Sequence, residues 1–164
     1  MIVGIDFGQS NAAAFCEENA DPLPRKFGQF SYVLPPIIGI DTWHLFQPGR
    51  TKLVTELFWL RGKKTKNKDS ILSLACDSYI AFGRLTEMYS VHGYVLPVDV
   101  WKSLLFDGAN KDKIVHSRLI KKLLVPSEES LLPDGPRMWD ALSAIGIAWA
   151  ACLLRQKLEG YQRC

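Results

Sequence analysis

Three carboxylates stand where acids are out of place. Asp6 ends the apolar run Ile2-Val3-Gly4-Ile5, Glu56 interrupts the apolar stretch from Leu53 to Leu60, and Asp140 opens the otherwise apolar segment from Met138 to Leu154. A carboxylate beside a packed core is costly unless it is paired or holds a cation. Brought together from three distant stretches, such acids repel one another. Hard divalent cations such as Mg2+ relieve that repulsion through oxygen ligands, and two of them can activate a water and stabilise the leaving oxygen of a phosphodiester. Each acid also has a plainer role open to it. Asp6 can cap a turn, Glu56 can face solvent from an edge strand, and Asp140 can complement a helix dipole from the first turn. Their joint order says more than any one of them.

A second chemistry follows directly after Glu56. Arg61, Lys63, Lys64, Lys66 and Lys68 put five cations into eight residues. Phosphate contacts supply most of the affinity of proteins for nucleic acid; the competing reading is a solvated surface loop. Phe58 and Trp59 lie between the acid and the basic run, where an aromatic can stack on an unpaired base. The other aromatics, among them Tyr79, Phe82, Tyr89, Trp101, Trp139 and Trp149, read as core or dimer contacts. Ser10 and Asn11, after Asp6, suit hydrogen bonds to a phosphate as well as they suit a turn. His44, His92 and His116 have no metal-ligand spacing and read as structural or surface residues.

The elements that must position these groups are legible in outline. Ile2–Asp6 is a buried strand, Phe7–Asn11 is turn chemistry, and Asn11–Cys16 returns as a second strand. Residues 17–29 hold Pro22, Pro24 and Gly28 and read as loop, and Pro35-Pro36 excludes a regular central strand there. Lys52–Leu60 is another buried strand. A helix starts at Asp69-Ser70 and continues through about His92, with apolar residues at helical spacing. Tyr94–Leu96 is a short strand, Pro97 opens a loop or helix containing Trp101-Lys102, and Lys111–Leu124 suits a basic amphipathic helix. Ser127–Pro136 is loop, and Arg137–Gly160 is the last helix.

Composition narrows the classes. The chain has 164 residues, Lys+Arg 20 against Asp+Glu 17, and is 48% hydrophobic and 11% aromatic. That is one domain, residues 1–164, with a sizeable core, and not a disordered chain. A net charge of +3 implies no partner by itself, so local clustering must carry that argument. Cys16, Cys76, Cys152 and Cys164 form no Cys-x-x-Cys pair, which speaks against metal fingers and disulfide scaffolds and for a reducing compartment. Met1–Asp6 lacks the features of a secretory signal. The longest uncharged stretch, Ala141–Leu154, is short for a membrane span and suits a buried helix. The expectation is an intracellular α/β protein with no membrane partner, from a bacterium, a phage-infected cell, an organelle or a virus.

These residues together resemble the RuvC-type Holliday junction resolvases, within the RNase H-like nuclease and integrase superfamily. Gly4-Ile5-Asp6-Phe7-Gly8 followed by Ser10 is similar to the family's opening strand. Glu56 matches its acid in a second apolar strand, and Lys66–Ala75 resembles the loop and helix start that follow. Lys102 and Lys113 stand at the family's eleven-residue lysine spacing, with Lys111 as a neighbouring option, and Asp140-Ala141-Leu142 resembles its closing helix motif. The opening also matches the phosphate loop of actin- and Hsp70-like ATPases, which need a second lobe that 164 residues cannot supply. One departure stands out: the family's fourth ligand position, three residues before the final Asp, is Arg137 here. Asp134, six residues ahead, is the replacement considered; its alternative role is a helix cap.

The resemblance implies an RNase H-like fold, a mixed central sheet flanked by helices, and a Mg2+-dependent endonuclease that cuts four-way DNA junctions, with Mn2+ as a substitute metal. It implies Asp6, Glu56 and Asp140 as metal ligands, with Asp134 as a fourth. Lys113 would act at the scissile phosphate, and Lys102, Lys111, Ser10, Phe58 and the Arg61–Lys68 loop would contact DNA. A homodimer is expected for paired cuts on a two-fold substrate, with the helix from Ser70 to His92 as interface through Tyr79, Phe82 and Tyr89. Two other readings stay open: a different RNase H-like nuclease acting on RNA–DNA hybrids or flaps, and a catalytically weak nucleic-acid-binding relative.

Overall fold

The computed structural model describes residues 1–7, 11–16, 30–33, 46–57, 68–106 and 113–163. Six strands form one sheet in the order β3-β2-β1-β4-β5-β6, namely β1 (Ile2–Asp6), β2 (Ala12–Cys16), β3 (Phe30–Val33), β4 (Lys52–Leu57), β5 (His92–Pro97) and β6 (Gln162–Arg163). The helices are α1 (Lys68–Met88), α2 (Val98–Leu105), α3 (Lys113–Leu123), the single turn α4 (Pro126–Glu129) and α5 (Arg137–Leu154). The central strands β1, β4 and β5 run parallel, while β2, β3 and β6 pair antiparallel at the flanks.

Side chains alternate across a strand, so the parity of each residue decides its layer. Val3, Ile5, Ala13, Phe15, Leu53 and Val95 point to one face and pack with Phe82, Leu85 and Tyr89. Ile2, Ala12, Ala14, Cys16, Val54, Tyr94 and Leu96 point to the other, against Trp101, Ile120 and the length of α5. The α5 segment is long and apolar enough to cross a membrane, yet 78% of it is buried inside the protein. It is the central helix of the core.

Gly4 sets how closely that helix lies. A Cβ at Gly4 would collide with the Ala144 carbonyl oxygen and would stand 2.5 Å from the Ala148 amide nitrogen. Backbone therefore meets backbone, with only alanine methyls around the contact. One turn and more further on, the Cys152 and Cys16 sulfurs lie 3.2 Å apart, and Cys16 is the ladder partner of Ile2. These contacts fix α5 as antiparallel to β1.

Several element boundaries differ from the sequence reading. The helix expected to reach His92 ends at Met88, because His92 already begins β5. The loop expected over Ser127–Pro136 contains the turn α4, which begins at Pro126 and carries the buried Glu128. The last helix gives way to a 3-10 segment, Arg155–Gly160, before β6. Neither β3 nor β6 was expected; both are short strands at sheet edges. The β4 strand is seen as far as Leu57, and residues 58–60 lie outside the described residues.

The Gly4 contact gives a stability prediction. Gly4→Ala should lower the unfolding free energy by about 1–3 kcal/mol, the usual cost of overpacking, because neither backbone can move without shifting a whole element. Gly83→Ala, inside α1 with nothing within 4 Å of the added methyl, should instead be neutral or stabilising by up to ~1 kcal/mol. Urea unfolding of the two variants checks both.

Candidate metal and nucleic-acid site

The three acids are brought to one face and one end of the sheet. Ile5 pairs with Thr55 in the parallel β1–β4 ladder, and the Thr55 hydroxyl donates to the Ile5 carbonyl at 3.0 Å. Asp6 and Glu56 follow that pair on adjacent strands, about 4.8 Å apart along the hydrogen-bonding direction. Both share the parity of Gly4 and Val54, so they face α5. Asp140 is one helical turn before Ala144, which sits over Gly4. Two residues along β1 and four along α5 cover similar lengths. The antiparallel helix therefore carries Asp140 to the level of Asp6, beyond the carboxyl end of the strand.

Burial makes these acids unusual. Asp6 is 3% exposed and Asp140 is 6% exposed, while Glu56 is half-buried. Burial alone does not mark a site. Glu128 is equally buried, at 3%, but its carboxylate accepts the Val125 amide at 3.0 Å and so caps α4. Glu56 is held differently: the Trp101 indole N–H donates to its Oε2 at 3.2 Å.

A small cavity of about 40 Å3 opens beside Glu56. Trp101, Lys102, His116, Ser117, Ile120 and Ser143 complete its lining. Lys102, given a DNA contact by the sequence reading, thus lines one cavity with Glu56. Trp101, His116 and Ser143 were not singled out as site residues. His116 follows Lys113 by three residues on α3, and Ser143 follows Asp140 by three on α5, so helical spacing from the predicted residues was the signal available for both. The His116 ring is buried, stacks on Phe106 at 4.9 Å and meets Trp101 edge-on at 6.4 Å.

The remaining predicted residues divide in two. Asp134 is exposed in the turn ahead of α5, and Arg137, the first residue of that helix, is also exposed. Lys68 and Lys113 begin α1 and α3. Ser10, Phe58, Arg61, Lys63, Lys64, Lys66 and Lys111 lie outside the described residues.

The donor set is all carboxylate oxygen, which suits a hard divalent cation rather than a soft one. Among the described residues, no three His, Cys, Asp or Glu side chains are close enough to form a finished metal site.

No protein-family model and no curated protein matches the chain. Solved structures do. Thermus thermophilus RuvC in complex with a Holliday junction substrate aligns with a TM-score of 0.54 at 12% identity, covering 99% of this chain and 98% of the other. Thermus thermophilus RuvC alone aligns with a TM-score of 0.51 at 16% identity, covering 99% of both chains. The chain therefore has the RNase H-like fold, in the form similar to RuvC: a mixed sheet flanked by helices, shared over nearly its whole length.

Proposed function

We propose that this protein is a divalent-metal-dependent endonuclease that cuts branched DNA, four-way junctions above all. What supports the reading is the register that sets Asp6 and Glu56 on one face at the ends of the neighbouring strands β1 and β4, under the helix α5 whose first turn carries Asp140. The likeness of fold to RuvC supports it.

In this reading Asp6 is the central ligand, with Glu56 and Asp140 on either side and Asp134 as the candidate fourth. Mg2+ ions held there would supply Lewis acidity toward the attacking water and the leaving oxygen of a phosphodiester, and Mn2+ is expected to substitute. Lys113 acts at the scissile phosphate, where a cation offsets the charge that develops in the transition state. Lys102, beside Glu56, holds backbone together with Lys111 and the Arg61–Lys68 run, while Ser10 and Phe58 touch phosphate and base. The products are nicks with 5′-phosphate and 3′-hydroxyl ends.

A symmetric junction requires two such sites, which favours a homodimer. Its interface does not run through Tyr79, Phe82 and Tyr89. Phe82 and Tyr89 are buried in the core, and Tyr79 packs against it, because this face of α1 covers the sheet. The apolar residues that α1 leaves at the surface are Leu72, Leu74, Ile80 and Met88, and they take over the role.

Three outcomes are expected. With end-labelled four-way junction and Mg2+, the wild type makes symmetric nicks that EDTA and Asp6→Asn abolish, while matched linear duplex and RNA–DNA hybrid stay uncut. Binding without cutting would favour the weak nucleic-acid-binding relative and point to Arg137. Secondly, Mn2+ at a hundred times its Kd should stabilise the wild type by about 2.7 kcal/mol through mass action, and should leave Asp6→Asn and Asp140→Asn unchanged in thermal melts. Thirdly, Leu72→Glu combined with Ile80→Glu should convert the dimer to a folded monomer in sedimentation equilibrium.

A further inference from the structure

Trp101 is a neutral side chain that meets both charges beside the cavity, Glu56 and Lys102. It is 2% exposed, its N–H donates to Glu56 Oε2 at 3.2 Å, and the Lys102 ammonium lies 5.3 Å from the centre of its ring. The ring itself is tightly held. A methyl on Gly146 would stand 2.9 Å from its Cζ3 atom, so α5 closes one side. His116, backed by Phe106, closes another.

We propose that Trp101 is the positioning residue of the carboxylate site. One indole fixes the rotation of the Glu56 carboxylate through its N–H and seats the Lys102 ammonium on its face. This inference rests on the metal-dependent reading above and adds to it the group that sets the affinity of the site for a divalent ion.

Physical chemistry favours the arrangement. Indole nitrogen is a donor only, and a buried donor without an acceptor is expensive, so the N–H binds Glu56 to one geometry. A donor on Oε2 restricts the rotation of the carboxylate and so limits the freedom lost when an ion binds. Partners that orient a metal-binding carboxylate in this way change metal affinity or activity by about 10- to 100-fold when removed. On its face, the ring attracts the Lys102 cation, 5.3 Å from its centre, and so keeps a positive charge beside the acid.

The test separates the hydrogen bond from packing. In protein labelled with 15N at its five tryptophans, the Trp101 indole signal is identified by its absence from Trp101→Phe. It should move on Glu56→Gln without any metal, and again when Mg2+ is added to the wild type. Trp101→Phe, folded by circular dichroism, should bind Mn2+ at least about tenfold more weakly in calorimetry. If that variant does not fold, an isosteric analogue at Trp101 with sulfur in place of the N–H removes only the donor and should show the same loss. Phe106→Leu, which loosens the same wall but keeps the N–H, should stay within twofold of the wild type.

An indole signal that Glu56→Gln leaves in place would overturn the proposal, as would unchanged Mn2+ affinity without the donor or an equal loss in Phe106→Leu. Failure of the underlying reading looks different. There the wild type itself binds no Mn2+, whereas an error confined to Trp101 leaves wild-type binding intact and abolished by Asp6→Asn.

Discussion

The close approach of α5 to β1 is the constraint on which the rest depends. Helices usually stand off a sheet by the thickness of two side-chain layers. Here Gly4 has no side chain and α5 offers alanines, so the Ala144 carbonyl and Ala148 amide lie directly over the strand. Contact at this distance has one register. A slip of one residue along the helix would drive a different side chain into the strand and would lift Asp140 away from Asp6. The same helix makes a second close approach on its other side, where Gly146 admits the Trp101 ring and Ile120. Two glycines, one in the strand and one in the helix, therefore place both the acids and the indole that holds one of them.

That register has an electrostatic consequence. Asp6 and Asp140 are withdrawn from water, where an ionised carboxylate needs partners. The fold answers this need with the first turn of α5, whose amide dipoles favour a nearby anion, and with Lys102 and the Trp101 N–H at Glu56. The contrast with Glu128 is instructive. Its burial is met by a local cap within α4. Asp6, Glu56 and Asp140 come instead from three separate elements, β1, β4 and α5.

Much of this was legible in the sequence. Acids inside apolar runs singled out Asp6, Glu56 and Asp140 as candidates, and strand alternation put Asp6 and Glu56 on matched parity once β1 and β4 were known to be parallel neighbours. The order of motifs pointed to the fold. What periodicity could not supply was the partner of each face. The apolar stripe of α1 was visible, but a stripe does not say whether a sheet or a second copy covers it; Phe82 and Tyr89 went to the sheet. Nor could spacing reveal that His116 and Trp101, fifteen residues apart on two helices, stack edge to face beside Glu56. The edge strands β3 and β6 were missed because four and two residues carry too little alternation to register.

The departure at Arg137 can be placed in the same frame. It is exposed at the first residue of α5, one turn ahead of Asp140. The resemblance to RuvC-type resolvases implies an acid or histidine there, so relative to an acid this chain carries two more units of positive charge beside the cluster. Two buried carboxylates and the half-buried Glu56 repel one another less than four acids would, and they attract a metal less. Such a site gains from a partner that brings its own negative oxygens. In the function proposed above the oxygens of a DNA phosphate meet that need, and Lys102 lines the cavity beside Glu56. On that reading, phosphate oxygens would add to the ligand set of an ion that the free protein already binds, and so would strengthen its hold.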